Sequence, residues 1–181
     1  TASGVQPAIM ELMDALSVAT THRYLGLDAP PAGLAQLTIQ TDGPAADAEA
    51  EAIATTLAAA GGTVRLAADD AEAETLWLVR RSVNPASALL GTRLIEDVSV
   101  PRSALPAMFD EIARIEREYD LVIPTVCHAG DGNLHPSFLY TGDEVPEHLA
   151  HARAARVAGI QHSERPQRLS DDPPDAHARV E

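Results

Sequence analysis

Leu121-Val-Ile-Pro-Thr-Val-Cys-His-Ala-Gly-Asp-Gly-Asn-Leu-His-Pro-Ser-Phe-Leu-Tyr140 decides how the rest of the chain is read. Leu121 to His128 is apolar and β-branched, and Leu134 to Tyr140 is apolar again, so both predict strands. Between them Ala-Gly-Asp-Gly-Asn is a tight glycine-bearing reversal. Gly130 and Gly132 permit positive φ there and let a ligand approach the backbone. If the strands pair, His128 and His135 face each other across the turn, within reach of one divalent ion. Imidazole suits Zn, Mn or Fe, and a third ligand, often a carboxylate, would complete an open site. Cys127 points to the opposite face from His128 and reads as a small buried strand residue, not a ligand. A surface hairpin with two incidental histidines stands beside the metal reading, because two histidines alone do not make a metal site. Asp131 and Asn133 also have an ordinary reading, as turn residues.

Working outward, Ser103 is expected to cap a helix striped by Leu105, Met108, Phe109, Ile112 and Ile115. Leu94 to Val100 predicts a strand that ends at Pro101. Further back, Asp69-Asp70 starts a helix over 70–83 that carries Leu76, Trp77, Val79 and Val83. Thr63-Val-Arg-Leu predicts a short strand. A helix over 45–60 carries Ala50, Ile53, Leu57 and Ala60, and Gly61-Gly62 stops it. Leu37-Thr-Ile-Gln predicts a strand closed by Asp42-Gly-Pro, after a loop at Asp28-Ala-Pro-Pro-Ala-Gly. Ile9, Leu12, Met13 and Leu16 fall at helical spacing, so residues 7–20 predict a helix. The whole predicts an α+β layer, a largely antiparallel sheet with helices packed on one face.

Composition narrows the function. The chain has 181 residues, 27 acidic against 13 basic, and a formal charge of −14, which argues against nucleic acid as a partner. That length suits one domain or one and a half. No stretch approaches ~20 uninterrupted apolar residues, so no membrane span is expected. One cysteine excludes an internal disulfide and fits a reducing compartment, so a cytoplasmic location is expected, peripheral to a membrane through partner subunits at most. No lysine occurs, which excludes Schiff-base chemistry and leaves arginine as the cationic clamp for a substrate carboxylate. Thr1-Ala-Ser-Gly lacks the basic and apolar regions of a signal peptide and reads as the interior of a longer protein or a cut piece of one. Residues 143–181 turn rich in acids, arginine and histidine. A helix remains expected over 145–160, and the segment from 161 has too little apolar surface to bury.

Ile95-Glu-Asp-Val-Ser-Val-Pro-Arg-Ser103, the helix after it, and Cys127-His-Ala-Gly-Asp-Gly-Asn-Leu-His-Pro136 together resemble the C-terminal domain of FAD-linked oxidases, the vanillyl-alcohol-oxidase-like flavoproteins. The branch resembled is that of the glycolate oxidase FAD subunit, D-lactate dehydrogenase and D-2-hydroxyglutarate dehydrogenase. The similarity covers roughly residues 7–150, with Met10-Glu-Leu-Met-Asp and Leu76-Trp-Leu-Val-Arg-Arg contributing. It implies a ferredoxin-like cap domain over residues 1–150, followed by a divergent tail over 151–181. FAD would be bound by a separate domain or subunit, and the substrate would be a small D-2-hydroxy acid. A homo-oligomer is compatible with this reading. By position, His128 and His135 are implied to hold a divalent metal such as zinc. The resemblance further implies that Asn133 lies close to substrate or flavin, that Gly132 lies beside the cofactor, and that Arg80 grips the substrate carboxylate. Arg80 also reads as a solvated helix arginine, and Arg81 is equal to it by chemistry alone. The catalytic base is not assigned.

The sequence also departs from the family. Residues 1–181 hold no segment that could build an FAD-binding domain, so the chain is expected to be inactive alone. The Gly-Glu-His-Gly motif, whose glutamate is the third metal ligand, is absent, and Gln161-His-Ser-Glu-Arg-Pro stands in its region. Glu164 or a water is then the available substitute. An altered reading frame past residue 150 would explain the change of composition. A stand-alone metal-binding or hydrolytic module, and a non-catalytic remnant, are the competing readings.

Overall fold

The computed structural model describes residues 4–140. The helix expected over 145–160, the tail from 161 and the substitute ligand Glu164 lie outside them. In chain order the described elements are β1 (Ile9–Met13), α1 (Ala15–Leu25), β2 (Gln36–Gln40), α2 (Ala46–Ala59), α3 (Asp70–Arg81) and α4 (Val83–Ala88). They continue with β3 (Thr92–Ile95), β4 (Val98–Ser99), a 3₁₀ turn (Arg102–Ala104), α5 (Leu105–Tyr119), β5 (Thr125–His128) and β6 (Asn133–Tyr140). The strands form one open sheet in the order β2-β1-β5-β6-β3, with β4 also on β6, and every pairing is antiparallel. The α+β architecture expected from the sequence is the one observed.

Opposed residues of an antiparallel pair share a face, so the registers sort the side chains. Leu12, Cys127, Leu134 and Val98 stand in one row across four strands. They pack with Met108, Ile112 and Ile115 of α5, which covers that face. Burying this apolar layer is the main source of the fold's stability. The opposite face carries Met13 and Val126, which pack with Val18 of α1, Val79 of α3 and Val83 of α4. Helices therefore pack on both sides of the sheet, which corrects the expectation of helices on one face only while leaving the α+β class in place.

Several local expectations are corrected. Residues 9–13 form a strand, not the start of a helix. Their apolar spacing fits a helix by coincidence, while pairing with β2 on one side and β5 on the other fixes them extended. The helix begins after Asp14, whose carboxylate accepts from the Ser17 backbone N–H at 2.7 Å and the Thr125 backbone N–H at 2.8 Å. The Asp14 backbone N–H also donates to the Thr125 carbonyl at 3.0 Å. Thr63 to Leu66 is an exposed irregular segment with no strand beside it, and β-propensity alone does not make a strand. The Glu72 carboxylate holds this segment instead, accepting from Arg65 and from the Ala68 backbone N–H. The helix over 70–83 divides at Ser82 into α3 and α4.

Ser103 lies inside the 3₁₀ turn and does not cap α5, which starts with Pro106 in its first turn and no side-chain cap. Ordered pairing of the strand before the turn begins at Thr125, not Leu121, with Val122 making only an isolated bridge to Leu139. The strand expected over Leu94 to Val100 is interrupted at Glu96-Asp97 although its register continues unbroken from Ile95↔Ser137 to Val98↔Leu134. Pro136 explains the gap. Its carbonyl accepts from the Glu96 N–H at 3.0 Å, but proline has no N–H to return the bond.

Candidate functional site

The turn joining β5 to β6 spans residues 129–132. The His128 carbonyl accepts from the backbone N–H groups of Asp131 at 3.2 Å and Gly132 at 2.9 Å. The Asp131 side chain accepts from the Asn133 N–H at 3.2 Å, which is the turn role expected of it. Gly132 has φ +84°, and a Cβ there would lie 2.0 Å from the Val100 carbonyl oxygen. That carbonyl belongs to a close strand contact in which Val100 N–H donates to Gly132 O at 2.9 Å. Gly132 is thus required by backbone approach. Gly130 is not among the positive-φ residues, so that part of the expectation does not hold.

The registers line up two rows on the face opposite α5. One runs Thr38, Glu11, His128, Asn133 and Ser99; the next runs Gln36, Met13, Val126 and His135. The unbroken register beside Pro136 puts Asp97 opposite His135. His128 and His135 are therefore diagonal neighbours, not directly opposed. Their rings still converge, with centroids 5.0 Å apart and planes at 82°. Their side chains are 43% and 24% exposed, so the pair opens to solvent from a sheet surface. The incidental-hairpin reading does not predict this convergence.

Each imidazole has a carboxylate behind it. Glu11 Oε1 lies 2.6 Å from His128 Nδ1, and Asp97 Oδ1 lies 3.8 Å from His135 Nδ1. Arg80 reaches the row from the last turn of α3. Its Nε and Nη2 donate to Glu11 Oε2 at 3.1 and 2.8 Å. Arg80 and Glu11 are mostly buried, at 15% and 11% exposure, so Arg80 is not a solvated helix arginine. Arg81 turns away and pairs with Glu74 at 2.5 Å. Asn133 is beside His128, and its Oδ1 accepts from Ser99 Oγ at 3.4 Å.

Burial holds the His135 imidazole below its ordinary pKa; Asp97 opposes this, while His128 and Arg80 add to the depression. Cys127 is fully buried on the other face, and burial pushes its thiol up to about 11, with the Glu11 charge adding. It is a neutral core residue at ordinary pH, as expected.

Two converging imidazoles, each with its Nδ1 toward a carboxylate, fit two positions of a divalent-metal site. Among the described residues no group of three His, Cys, Asp or Glu side chains forms a metal-holding cluster. Sequence reasoning missed Glu11 and Asp97. Glu11 was embedded in a segment read as helix, and Asp97 in a strand whose register was unknown; a strand reading of 9–13 would have exposed Glu11 as the lone acid among apolar residues.

No helix among the described residues is long and apolar enough to cross a membrane. Residues 1–162 match the family described as FAD linked oxidases, C-terminal domain. The glycolate oxidase subunit GlcD of Escherichia coli strain K12 is 36% identical over 162 residues, which is 87% of this chain and 32% of that protein. The subunit of the same name from Bacillus subtilis strain 168 is 35% identical over 140 residues, 75% of this chain and 30% of that protein. The chain thus spans about a third of the length of these relatives. On the family match and the GlcD identities together, the chain belongs to the FAD-linked oxidase C-terminal domain family.

Proposed function

We propose that this chain is the substrate-facing cap of an FAD-dependent oxidoreductase acting on a D-2-hydroxy acid of the lactate or glycolate kind. The flavin would sit on a separate domain or subunit, and the chain would be inactive without it. Residues 1–150 form the cap in this reading and 151–181 a divergent tail, in a cytoplasmic protein. The observation that carries the proposal is the convergence of His128 and His135 on an open stretch of sheet, with Arg80 of α3 joined to them through Glu11. Such a surface presents two metal-type ligands and one carboxylate clamp to a molecule that has a hydroxyl beside a carboxylate.

A divalent cation such as zinc, when bound, supplies a Lewis acid that makes the substrate hydroxyl a stronger acid. His128 and His135 would hold that cation. Arg80 grips the carboxylate and so fixes the substrate's orientation. Asn133 offers its amide to the substrate or the flavin edge, and Gly132 keeps the turn low enough for the cofactor to approach. With two protein ligands the cation is held weakly, in the absence of a third donor from the partner.

The test supplies the FAD-binding region of a GlcD relative as a separate polypeptide and follows oxidation of D-lactate and glycolate. Turnover is expected with the intact chain, and none with His128→Ala or His135→Ala. No turnover of either acid, while the full-length relative works under the same conditions, defeats the proposal. The competing metal-module reading would instead gain from stoichiometric zinc in the purified chain without any flavin dependence.

A further inference from the structure

We propose that Glu11 is the positioning residue of this surface: one buried carboxylate that fixes the tautomer of His128 and the aim of Arg80 at once. Both of its oxygens are committed, Oε1 to His128 Nδ1 at 2.6 Å and Oε2 to Arg80 at 2.8 and 3.1 Å. An ionised carboxylate only accepts hydrogen bonds. The neutral His128 ring must therefore carry its proton on Nδ1 and leave Nε2 with a free lone pair. That nitrogen is the one able to bind a cation or take up a proton. On Arg80 the Nε–Nη2 edge is taken, which leaves the Nη1–Nη2 edge as a two-pronged donor held in one direction. The register Glu11↔His128 and the near-complete burial of Glu11 make the arrangement rigid.

The cation arm of this inference rests on the proposed function; the tautomer arm does not. The experiment uses the ¹⁵N-labelled full 181-residue chain without metal, at about pH 8. Two-bond ¹H–¹⁵N spectra read the His128 tautomer, and one-bond spectra read exchange protection of the Arg80 Nε–H. Wild type should show the Nδ1–H form and a protected Arg80 Nε–H. Glu11→Gln has one accepting and one donating end. Because Arg80 can only donate, the amide oxygen should turn to Arg80 and the NH2 to His128 Nδ1, so the tautomer should switch to Nε2–H while the Arg80 protection persists. Glu11→Ala should lose both.

Zinc affinity, measured by chelator competition, should fall about 10–100-fold in Glu11→Ala and also fall in Glu11→Gln, whose Nε2–H tautomer hides the ligating lone pair. A wild-type His128 in the Nε2–H form overturns the inference, as does a Glu11→Ala chain with unchanged tautomer and zinc affinity. Arg80 protection surviving Glu11→Ala overturns the arginine arm, and an unchanged tautomer in Glu11→Gln overturns the tautomer arm. If Glu11→Ala fails to fold, the wild-type and Glu11→Gln spectra decide the matter. A tautomer that follows Glu11 in a chain that binds no zinc upholds Glu11 and removes the metal from the proposed function.

Discussion

In the hairpin of β5 and β6, Cys127 and Leu134 are sealed from water, and Ile123 just before it is too, whereas α2 runs for 14 residues without burying one. The same contrast holds between α5, which places Met108, Ile112 and Ile115 in the core, and α3, which buries none of its residues fully. Both kinds of element are helices with apolar stripes, so periodicity does not separate them. What separates α5 from α3 is how much of each stripe the sheet covers, since the α3 stripe meets the buried cluster of the opposite face only through the half-buried Val79. The two imidazoles stand on the far side of the sealed layer, on the strands that the α5 core packs against from behind. Arg80, by contrast, arrives from a lightly anchored helix, and its side chain is held by Glu11 instead of by packing.

Replacing Leu134 by alanine tests the sealed half and should lower stability by about 3–5 kcal/mol. The matching change in the other half, Leu57→Ala, should lower it by less than about 1 kcal/mol, both read from urea unfolding. Equal losses would erase the distinction between the two regions. Next in size is Gly132→Ala, which sets a Cβ against the Val100 carbonyl at a left-handed φ and should lower stability by about 2–3 kcal/mol. Gly61→Ala, also at positive φ but with open space around it, should lower it by about 1 kcal/mol. If the two glycines behave alike, the close approach at the turn is not what demands glycine.

The smallest effect concerns pH. Because the His135 pKa is depressed in the folded chain, the unfolded chain binds the proton first as pH falls. Its contribution to stability is therefore complete above about pH 6.5 and is lost as pH drops toward the folded value. His135→Asn should make the unfolding midpoint less dependent on pH in that window. Asp14 and Glu116 carry the opposite sign: burial raises both, so their contribution declines as pH rises past the ordinary carboxylate range. A variant with the full acid slope would show that the slope arises elsewhere.

The β5–turn–β6 unit was legible because two apolar runs flank a glycine turn, a pattern with few other solutions. α2, α3 and α5 were legible from period and stop signals, within a few residues. β1 was not, because Ile9, Leu12, Met13 and Leu16 satisfy helical spacing across what is in fact a strand, a cap and a helix start. The segment at 63–66 misled for the converse reason: its residues suit a strand but find no partner. Within the site, His128 and His135 could be picked out locally, and Arg80 came from resemblance. Glu11 could not, since the contact that gives it meaning spans 117 residues of sequence and exists only once β1 and β5 are in register.

Asp14 carries a consequence for the order of events in time. Its carboxylate completes the first turn of α1 and also receives the Thr125 N–H, 111 positions later. A ribosome releases β1 and α1 well before β5 exists, so until then one flank of β1 is bare and the Asp14 carboxylate has only half its partners. The central pairing of the sheet is thus among the last to close, and the two ends of the described chain must meet before the surface bearing both imidazoles can form.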